Sequence, residues 1–355
     1  MKKPVIIIGA GLSGLYAASL LTAAGVDYQI IESRNRIGGR VLTETAASAG
    51  FDLGPTWFWP EHEPIITELT KKLGLKTFPQ HTTGQLLFEQ SKSDPAQRHS
   101  LPTNSIERSE RIVGGVQSLI EAIASTIPDQ TIELNTRVTN ILINEAGAIT
   151  VSSVKSSGDT HSIEAESVIL ALPPRLIHNI SFSPDLPQIP DLPTLMAGQA
   201  KVVAVYDQPF WREAGLSGQA MSWVGPLQEI HDASPETGAG ALFGFFSLSA
   251  DQRRELGQEK IRLLVIEQLT RLYGEEAGQP AALLYKDWSL DADTATDQDG
   301  RPLTDFPQYQ PIQIDGEWNE KLMFAGTETS ATSGGHLEGA LWSAERAVKQ
   351  VLQRK

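Results

Sequence analysis

The stretch Gly9-Ala10-Gly11-Leu12-Ser13-Gly14 lies between an apolar run, Val5–Ile8, and a second apolar segment, Leu12–Ala24. Four consecutive Val and Ile residues read as a buried strand, and the longer segment reads as a helix. Between them the G-x-G-x-x-G pattern gives each glycine a task. Gly9 permits the tight turn, Gly11 lets the backbone approach a pyrophosphate, and Gly14 lets the helix pack close to the sheet. Phosphates would meet the first helical turn, around Ser13, where unpaired N–H groups and the macrodipole favour negative charge. Tyr28–Ile31 reads as a second strand, ended by Glu32, whose carboxylate suits ribose hydroxyls. The competing reading is an ordinary Gly-rich turn, against which strand, helix and acidic residue all stand in register. This motif does not separate NAD from FAD.

Working outward, strand-like and helix-like stretches alternate through Pro64–Leu73, which implies a parallel sheet covered by helices. The segment from Gln80 to Arg111 turns polar and irregular, with Ser91, Asp94, Pro95, Pro102 and Asn104 as breakers. A helix is expected over Gly115–Ser125, then strands near Thr131–Leu134, Val138–Ile143, Ile149–Val154 and Val168–Leu172. Pro184, Pro187, Pro190 and Pro193 mark the crossing into a second region. That region shows strands at Lys201–Tyr206, Ala241–Phe246 and Leu283–Trp288, and an amphipathic helix over Glu259–Tyr273. A last strand, Leu322–Ala325, and a helix over Gly335–Leu352 close the chain. Residues 1–76, 111–190 and 290–355 therefore read as one discontinuous nucleotide-binding domain, with 77–110 and 191–289 as an inserted substrate domain.

The 355 residues suit about two domains of roughly 150 residues each. Hydrophobic residues at 40% permit a large core, and a net charge of -14 argues against nucleic acid or an anionic membrane as partner. Cysteine is absent, which excludes disulfides, thiolate catalysis, Cys-ligated metals and a flavin tethered through sulfur. No metal site is expected. Met1-Lys2-Lys3 followed by apolar residues imitates a secretory signal, but Gly9, Gly11 and Gly14 would interrupt a signal helix. No apolar run is long enough to span a membrane. Cytoplasmic location is the expectation, and Asn179-Ile180-Ser181, a formal glycosylation sequon, then carries no meaning. H-E-x-x-H, G-x-S-x-G and P-loop patterns are missing.

Glu32-Ser33-Arg34-Asn35-Arg36-Ile37-Gly38-Gly39-Arg40 closely resembles the E-x-x-x-R-x-G-G-R extension of the flavin amine oxidase family. Gly38-Gly39 allows a second close backbone approach, and Arg36 and Arg40 offer positive charge to an anionic cofactor. Asp52-Leu53-Gly54-Pro55-Thr56-Trp57 resembles the family's D-L-G-x-x-W segment beside the flavin ring. Gly114-Gly115-Val116-Gln117-Ser118-Leu119 is similar to its G-G-x-x-x-L helix start. Val138 falls where the family's adenine-contacting backbone lies, and Ala171-Leu172-Pro173-Pro174 is similar to its V-P-P. Asp287-Trp288 matches its D-W pair. Phe324-Ala325-Gly326-Thr327-Glu328-Thr329 resembles F-A-G-E-x-T, and Gly335-His336-Leu337-Glu338-Gly339-Ala340 resembles G-Y-x-E-G-A. The resemblance implies an α/β protein, with an FAD-binding Rossmann-like domain of the glutathione-reductase type and an inserted mixed α+β substrate domain. It implies noncovalent FAD held by Gly9, Gly11, Ser13, Gly14, Glu32, Ser33, Arg34, Gly39, Arg40, Gly54, Pro55, Thr56, Trp57, Val138, Trp288, Gly326, Glu328, His336 and Leu337. At the last two, a helix N-terminus faces the flavin pyrimidine carbonyls.

Ala200-Lys201-Val202-Val203 resembles the segment carrying the family's flavin-facing lysine. A lysine sharing a strand face with Val203 and Val205 is costly unless it snorkels to solvent or bonds something specific. The functional reading has Lys201 hold a water at flavin N5. Two departures matter. The usual cage tyrosine is His336, and no aromatic follows Asp287-Trp288 through Gly300, so the two-tyrosine cage is missing. His336 could be a base, a polar pocket residue or a space-filler, and Trp57, Phe58 and Trp59 could rebuild an aromatic wall or simply pack in the core. The short interval from Phe78 to Gly114 also implies a smaller cap than in larger oxidases. The expected activity is hydride removal from the C–H beside an amine nitrogen, with O2 reoxidising the flavin to give hydrogen peroxide. The alternatives are an FAD-dependent C–C desaturase or dehydrogenase with another electron acceptor, and a flavin-binding protein without turnover. Substrate identity and oligomeric state are not set by the sequence.

Overall fold

A computed structural model describes residues 3–102, 105–300, 303 and 305–354. Met1 and Lys2 of the signal-like head, and the expected breaker Asn104, lie outside the described residues. Strand β1 (Val5–Ile8) leads through the glycine turn into helix α1 (Leu12–Ala23), and β2 (Tyr28–Ile31) pairs parallel to β1. On the other side of β1 comes Ser167–Leu170, then Leu322–Phe324, while Ile132–Glu133 flanks β2. All five strands run parallel, so the sheet is the doubly wound kind and opens its carboxyl ends to a ligand. Every β1 side chain is buried, because both faces of the sheet are covered. Val5 and Ile7 pack among helices α1, α3 (Gln117–Ala124) and α6 (Leu337–Gln353). Ile6 and Ile8 pack against a four-stranded sheet built from 136–165 and 181–183. Period two along one strand thus builds three layers.

The second sheet has seven strands in the order Ala282–Asp287, Ala200–Tyr206, Gly240–Phe246, Leu227–Asp232, Leu216–Ser222, Gln85–Glu89, Gln97–His99. Neighbours are antiparallel except Leu216–Ser222 beside Gln85–Glu89. Val202, Ala204 and Tyr206 point at helix α5 (Ala250–Tyr273), which buries Ile261, Val265 and Leu269 against them. Val203 and Val205 point the other way, onto Phe51 and Leu53 from the first region. Among the described residues, no helix is long and apolar enough to cross a membrane.

The structure departs from the sequence reading in one stretch and adds elements in two others. The interval from Gln80 to Arg111 is not irregular: it contributes Gln85–Glu89, Gln97–His99 and Glu110–Ile112. These are short strands at or near sheet edges, all three residues of Gln97–His99 are exposed, and an edge strand has no need of an apolar pattern. A hairpin, Thr43–Ala46 with Ala49–Asp52, was not anticipated, because Ala47 and Ser48 occupy its turn at φ 45° and 60° where Asn-Gly is the usual signal. Helix α5 carries a first piece from Ala250 that was not expected, and after a break at Gly257 its second piece is the expected helix ending at Tyr273. Ser249 and Gln252 form a reciprocal cap at the Ala250 end, and Gly257 at φ 73° interrupts the helical periodicity before the expected start.

Candidate functional site

One long cavity, about 330 Å³, runs from the glycine turn past β2 to the joint between the two sheets. At its nucleotide end the three glycines serve different needs. Gly9 has φ +106°, and a Cβ there would lie 2.6 Å from the Ala171 carbonyl. A Cβ on Gly14 would lie 1.9 Å from the Gly9 carbonyl, so helix and turn are in contact. Gly11 differs: its added Cβ meets only Gly39 Cα, at 3.9 Å, and would stand in the cavity. No side chain caps the start of α1 and no acid sits in its first turn, which leaves that end open to an anion. Glu32, at the end of β2, is 3% exposed and accepts from Ala10 N–H at 2.7 Å and Arg34 N–H at 2.8 Å.

A loop from the far side of the molecule closes this end. Ser33 donates to Asp293 at 2.9 Å, and Arg34 pairs with Asp291 at 2.6 Å and donates to Thr294 at 2.9 Å. Arg137 reaches Asp293 at 2.6 Å. Burial pushes the Asp291 carboxyl up, but Lys286 and Arg34 outweigh it and hold it below the usual range. These acids occupy the stretch in which an aromatic cage residue was sought.

Toward the joint, Lys201 is 4% exposed and does not snorkel. Its Nζ donates to the Gly54 carbonyl at 2.9 Å and to Thr56 Oγ1, and sits 4.1 Å from the centroid of Phe243. Burial pulls its ammonium down to about 7; Asp52 works against the shift and Arg111 adds to it. The buried strand face therefore holds a lysine by specific bonds, with a donor left over in its ammonium form. His336 precedes α6, and its side chain makes no cap to that helix. The ring stacks on Trp59 at 5.5 Å between centroids, and Nδ1 lies 2.9 Å from Glu63 Oε1.

Of the residues singled out from sequence, Gly9, Gly11, Ser13, Glu32, Ser33, Arg34, Gly39, Arg40, Gly54, Pro55, Thr56, Trp57, Val138, Trp288, Lys201, His336 and Leu337 line this cavity. Gly14, Gly326 and Glu328 stand behind its wall. Gly14 is pressed against Gly9, the Gly326 N–H donates to Ser343, and fully buried Glu328 holds Arg40 through both oxygens. Arg36 is also withdrawn: it braces its own loop through the carbonyls of Ile37, Gly39 and Val41. Trp57 and Trp59 line the cavity, whereas Phe58 belongs to the helical core. Trp288 donates to the Leu53 carbonyl at 2.9 Å, and Asp287 beside it anchors Arg253. Sequence reading missed Arg137, Met196, Gln199, Phe245, Asp293 and Glu63. Only the last had a local signal, an acid immediately before Pro64 at a helix start, and that signal reads as capping.

The profile of the family described as flavin containing amine oxidoreductase matches residues 12–111 and 102–352. The chain belongs to this family. Putrescine oxidase of Kocuria rosea is 25% identical, with 99% of this chain and 95% of that protein covered. Flavin-containing amine oxidase B of Mus musculus is 24% identical, covering 99% and 86%. The alignment with putrescine oxidase spans 464 positions against 355 residues here, so the relative carries segments this chain lacks. Among solved structures, putrescine oxidase bound to putrescine superposes with a TM-score of 0.80 at 24% identity, covering 100% of both chains. Cyclohexylamine oxidase from Brevibacterium oxydans gives 0.81 at 20% identity, covering 100% of this chain and 99% of that one. As a member of the flavin amine oxidase family, the protein is an FAD-dependent oxidoreductase with noncovalent cofactor. The cavity fits that group: an uncapped helix start with an open glycine for the phosphates, and a buried carboxylate at a strand end for the ribose.

Proposed function

We propose that this protein oxidises small primary amines at the carbon beside nitrogen, with O2 as final acceptor. The observation that carries the reading is a single cavity with two chemically distinct ends. One is an uncapped helix start beside Glu32; the other joins Lys201 to His336 and Trp59. When bound, FAD supplies the hydride acceptor and passes the electrons on to oxygen. The chain's residues do the rest. Gly11 and the start of α1 would receive the phosphates, Glu32 would take ribose hydroxyls, and the start of α6 would offer its positive end to the flavin ring. In its ammonium form Lys201 would offer its remaining N–H to the bound flavin, and the apolar sheet face around it excludes bulk water. The substrate loses hydride from its α-carbon, and the iminium takes up water and releases ammonia.

The names of the relatives, putrescine oxidase and cyclohexylamine oxidase, support primary amines as the class. The reading includes a cytoplasmic protein, and the net charge of -14 supports neither nucleic acid nor an anionic membrane as its partner. The test is anaerobic mixing of the yellow protein with putrescine, cyclohexylamine and a non-amine alkene precursor. Bleaching by an amine, with hydrogen peroxide formed on readmitting air, is the expected outcome. Bleaching by the non-amine alone would replace the reading with C–C dehydrogenation, and no bleaching would leave a flavin-binding protein without turnover.

A further inference from the structure

Glu63 is 2% exposed, and both its oxygens are engaged: Oε2 accepts the Trp59 N–H at 2.8 Å, and Oε1 meets His336 Nδ1 at 2.9 Å. An ionised carboxylate only accepts, so Nδ1 carries the proton in this bond. The neutral ring then has its lone pair on Nε2, which has no protein partner among the described residues. Glu63 does not line the cavity, and His336 does. The imidazole is thus gripped from behind by a buried acid, stacked on Trp59, and left with one basic nitrogen for whatever occupies the cavity. Its side chain is 42% exposed, which gives a proton a way out to water.

We infer that His336 and Glu63 form a proton-accepting pair for the substrate ammonium, with Nε2 as the base and Glu63 as the positioning residue that fixes the tautomer. The inference rests on the amine-oxidation reading. Small amines arrive protonated at neutral pH, since an alkylammonium titrates near about 10. Only the neutral amine has a lone pair to support loss of hydride from its α-carbon. In the step assigned here one N–H bond of the ammonium breaks and one N–H bond forms at Nε2, with no electron transferred. The resulting imidazolium faces a carboxylate at 2.9 Å and later releases its proton to solvent. A tyrosine at this position would not serve, because a phenol titrating near about 10 carries no free base at neutral pH. Charged groups on the elements beside the ring include Glu63 before helix α2 (Pro64–Lys72) and Glu338 in the first turn of α6. Glu338 is occupied by the N–H groups of Ile65 and Ile66. Lys201, farther along the wall, is held by Gly54 and Thr56.

Two measurements on the FAD-loaded protein test this. Long-range nitrogen–proton NMR of histidine-labelled protein should find His336 protonated at Nδ1 and bare at Nε2, and E63Q should lose that single tautomer. Stopped-flow flavin reduction by putrescine and by cyclohexylamine should slow by at least about tenfold in H336Q near neutral pH. The loss should shrink above about pH 10, where the free amine is already neutral. H336Y, which restores the residue usual in the family, should show the same pH trend, and E63Q a smaller version of it. FAD content and melting temperature of each variant separate this from misfolding. An equal loss at every pH, or a wild-type ring protonated at Nε2, would overturn the base role while amine oxidation stands. No bleaching of the wild type by either amine would bring down the amine-oxidation reading, and this inference with it.

Discussion

Lys201 commits two donors to Gly54 and Thr56 and lies against Phe243, so water screens little of its charge. With its ammonium pulled down to about 7, folded and unfolded chains both hold the proton below that pH, and the cost of burying the charge is felt in full. Between about 7 and the ordinary lysine value of about 10.4, only the unfolded chain stays protonated, so stability rises with pH across that window. Lys201→Met removes this term. The variant's gain in melting temperature over wild type, measured without flavin, should be largest near pH 6 and fade above pH 10. With FAD bound, flavin reduction, reoxidation or both should slow by about tenfold or more, on the order of 1.4 kcal/mol. Normal rates in both half-reactions would assign the lysine to the frame alone. The glycine turn allows a second contrast. Gly11→Val projects into open cavity and should give folded, colourless protein, whereas Gly14→Ala drives a methyl into the Gly9 carbonyl. Circular dichroism and absorbance at the flavin band, read together, distinguish the two. A yellow Gly11→Val protein would remove this turn from the cofactor site.

At the scale of elements, helices α2 and α6 begin side by side and hold each other's first turns. Glu338 of α6 takes the N–H groups of Ile65 at 3.0 Å and Ile66 at 2.8 Å, one on each oxygen, while Glu63 ahead of α2 holds His336 ahead of α6. Burial pushes the Glu338 carboxyl up, with the two backbone bonds opposing. Its folded value lies above the unfolded one, so its contribution is fullest below the ordinary carboxylate range and declines as pH rises through the folded value. Glu338→Gln turns one acceptor into an NH2 facing an N–H donor and should cost about 1–3 kcal/mol, read as a lower urea midpoint at unchanged slope. Unchanged stability would mean that water satisfies those donors. Both helices were legible in the sequence to within a residue or two, because apolar spacing and Pro64 are local signals. Their mutual bracing was not. Glu63 and His336 are 273 positions apart, and an acid before a proline looks like any cap.

Across the whole molecule the same divide separates what could be read from what could not. The parallel sheet, its phosphate turn and Glu32 follow from residues close together in sequence, where strand, turn and helix impose their own spacing. Whether Lys201 snorkelled or was buried depended on Gly54 and Thr56, contributed by a different region, and only the assembled fold decides that. Asp293 and Arg137 are similar: two unremarkable charges until the loop after Trp288 lies over the end of β2. The strands within 80–112 were hard to read for another reason: Gln97–His99 is an exposed edge whose polarity follows exposure and not pairing, while Gln85–Glu89 and Glu110–Ile112 each bury a charged residue, Glu89 and Arg111.

Phe51 and Leu53, from the region that carries the parallel sheet, share one apolar cluster with Val203, Val205, Ala241 and Phe243 of the seven-stranded sheet. Lys201 projects from that same sheet face, so the wall of the reaction chamber and the seam between the two regions are one surface. Neither region can melt without exposing the other's interior. Calorimetry should therefore record a single cooperative endotherm for the chain without flavin, with calorimetric and van't Hoff enthalpies in agreement; two resolved endotherms would show the regions to be thermodynamically independent. A seam of this kind opposes wide hinge opening, because parting the two regions would expose Phe51, Val203 and Phe243 to water, and it favours entry and exit through side chains and loops at the cavity mouth. Turnover would then be paced by small local fluctuations on a rigid body.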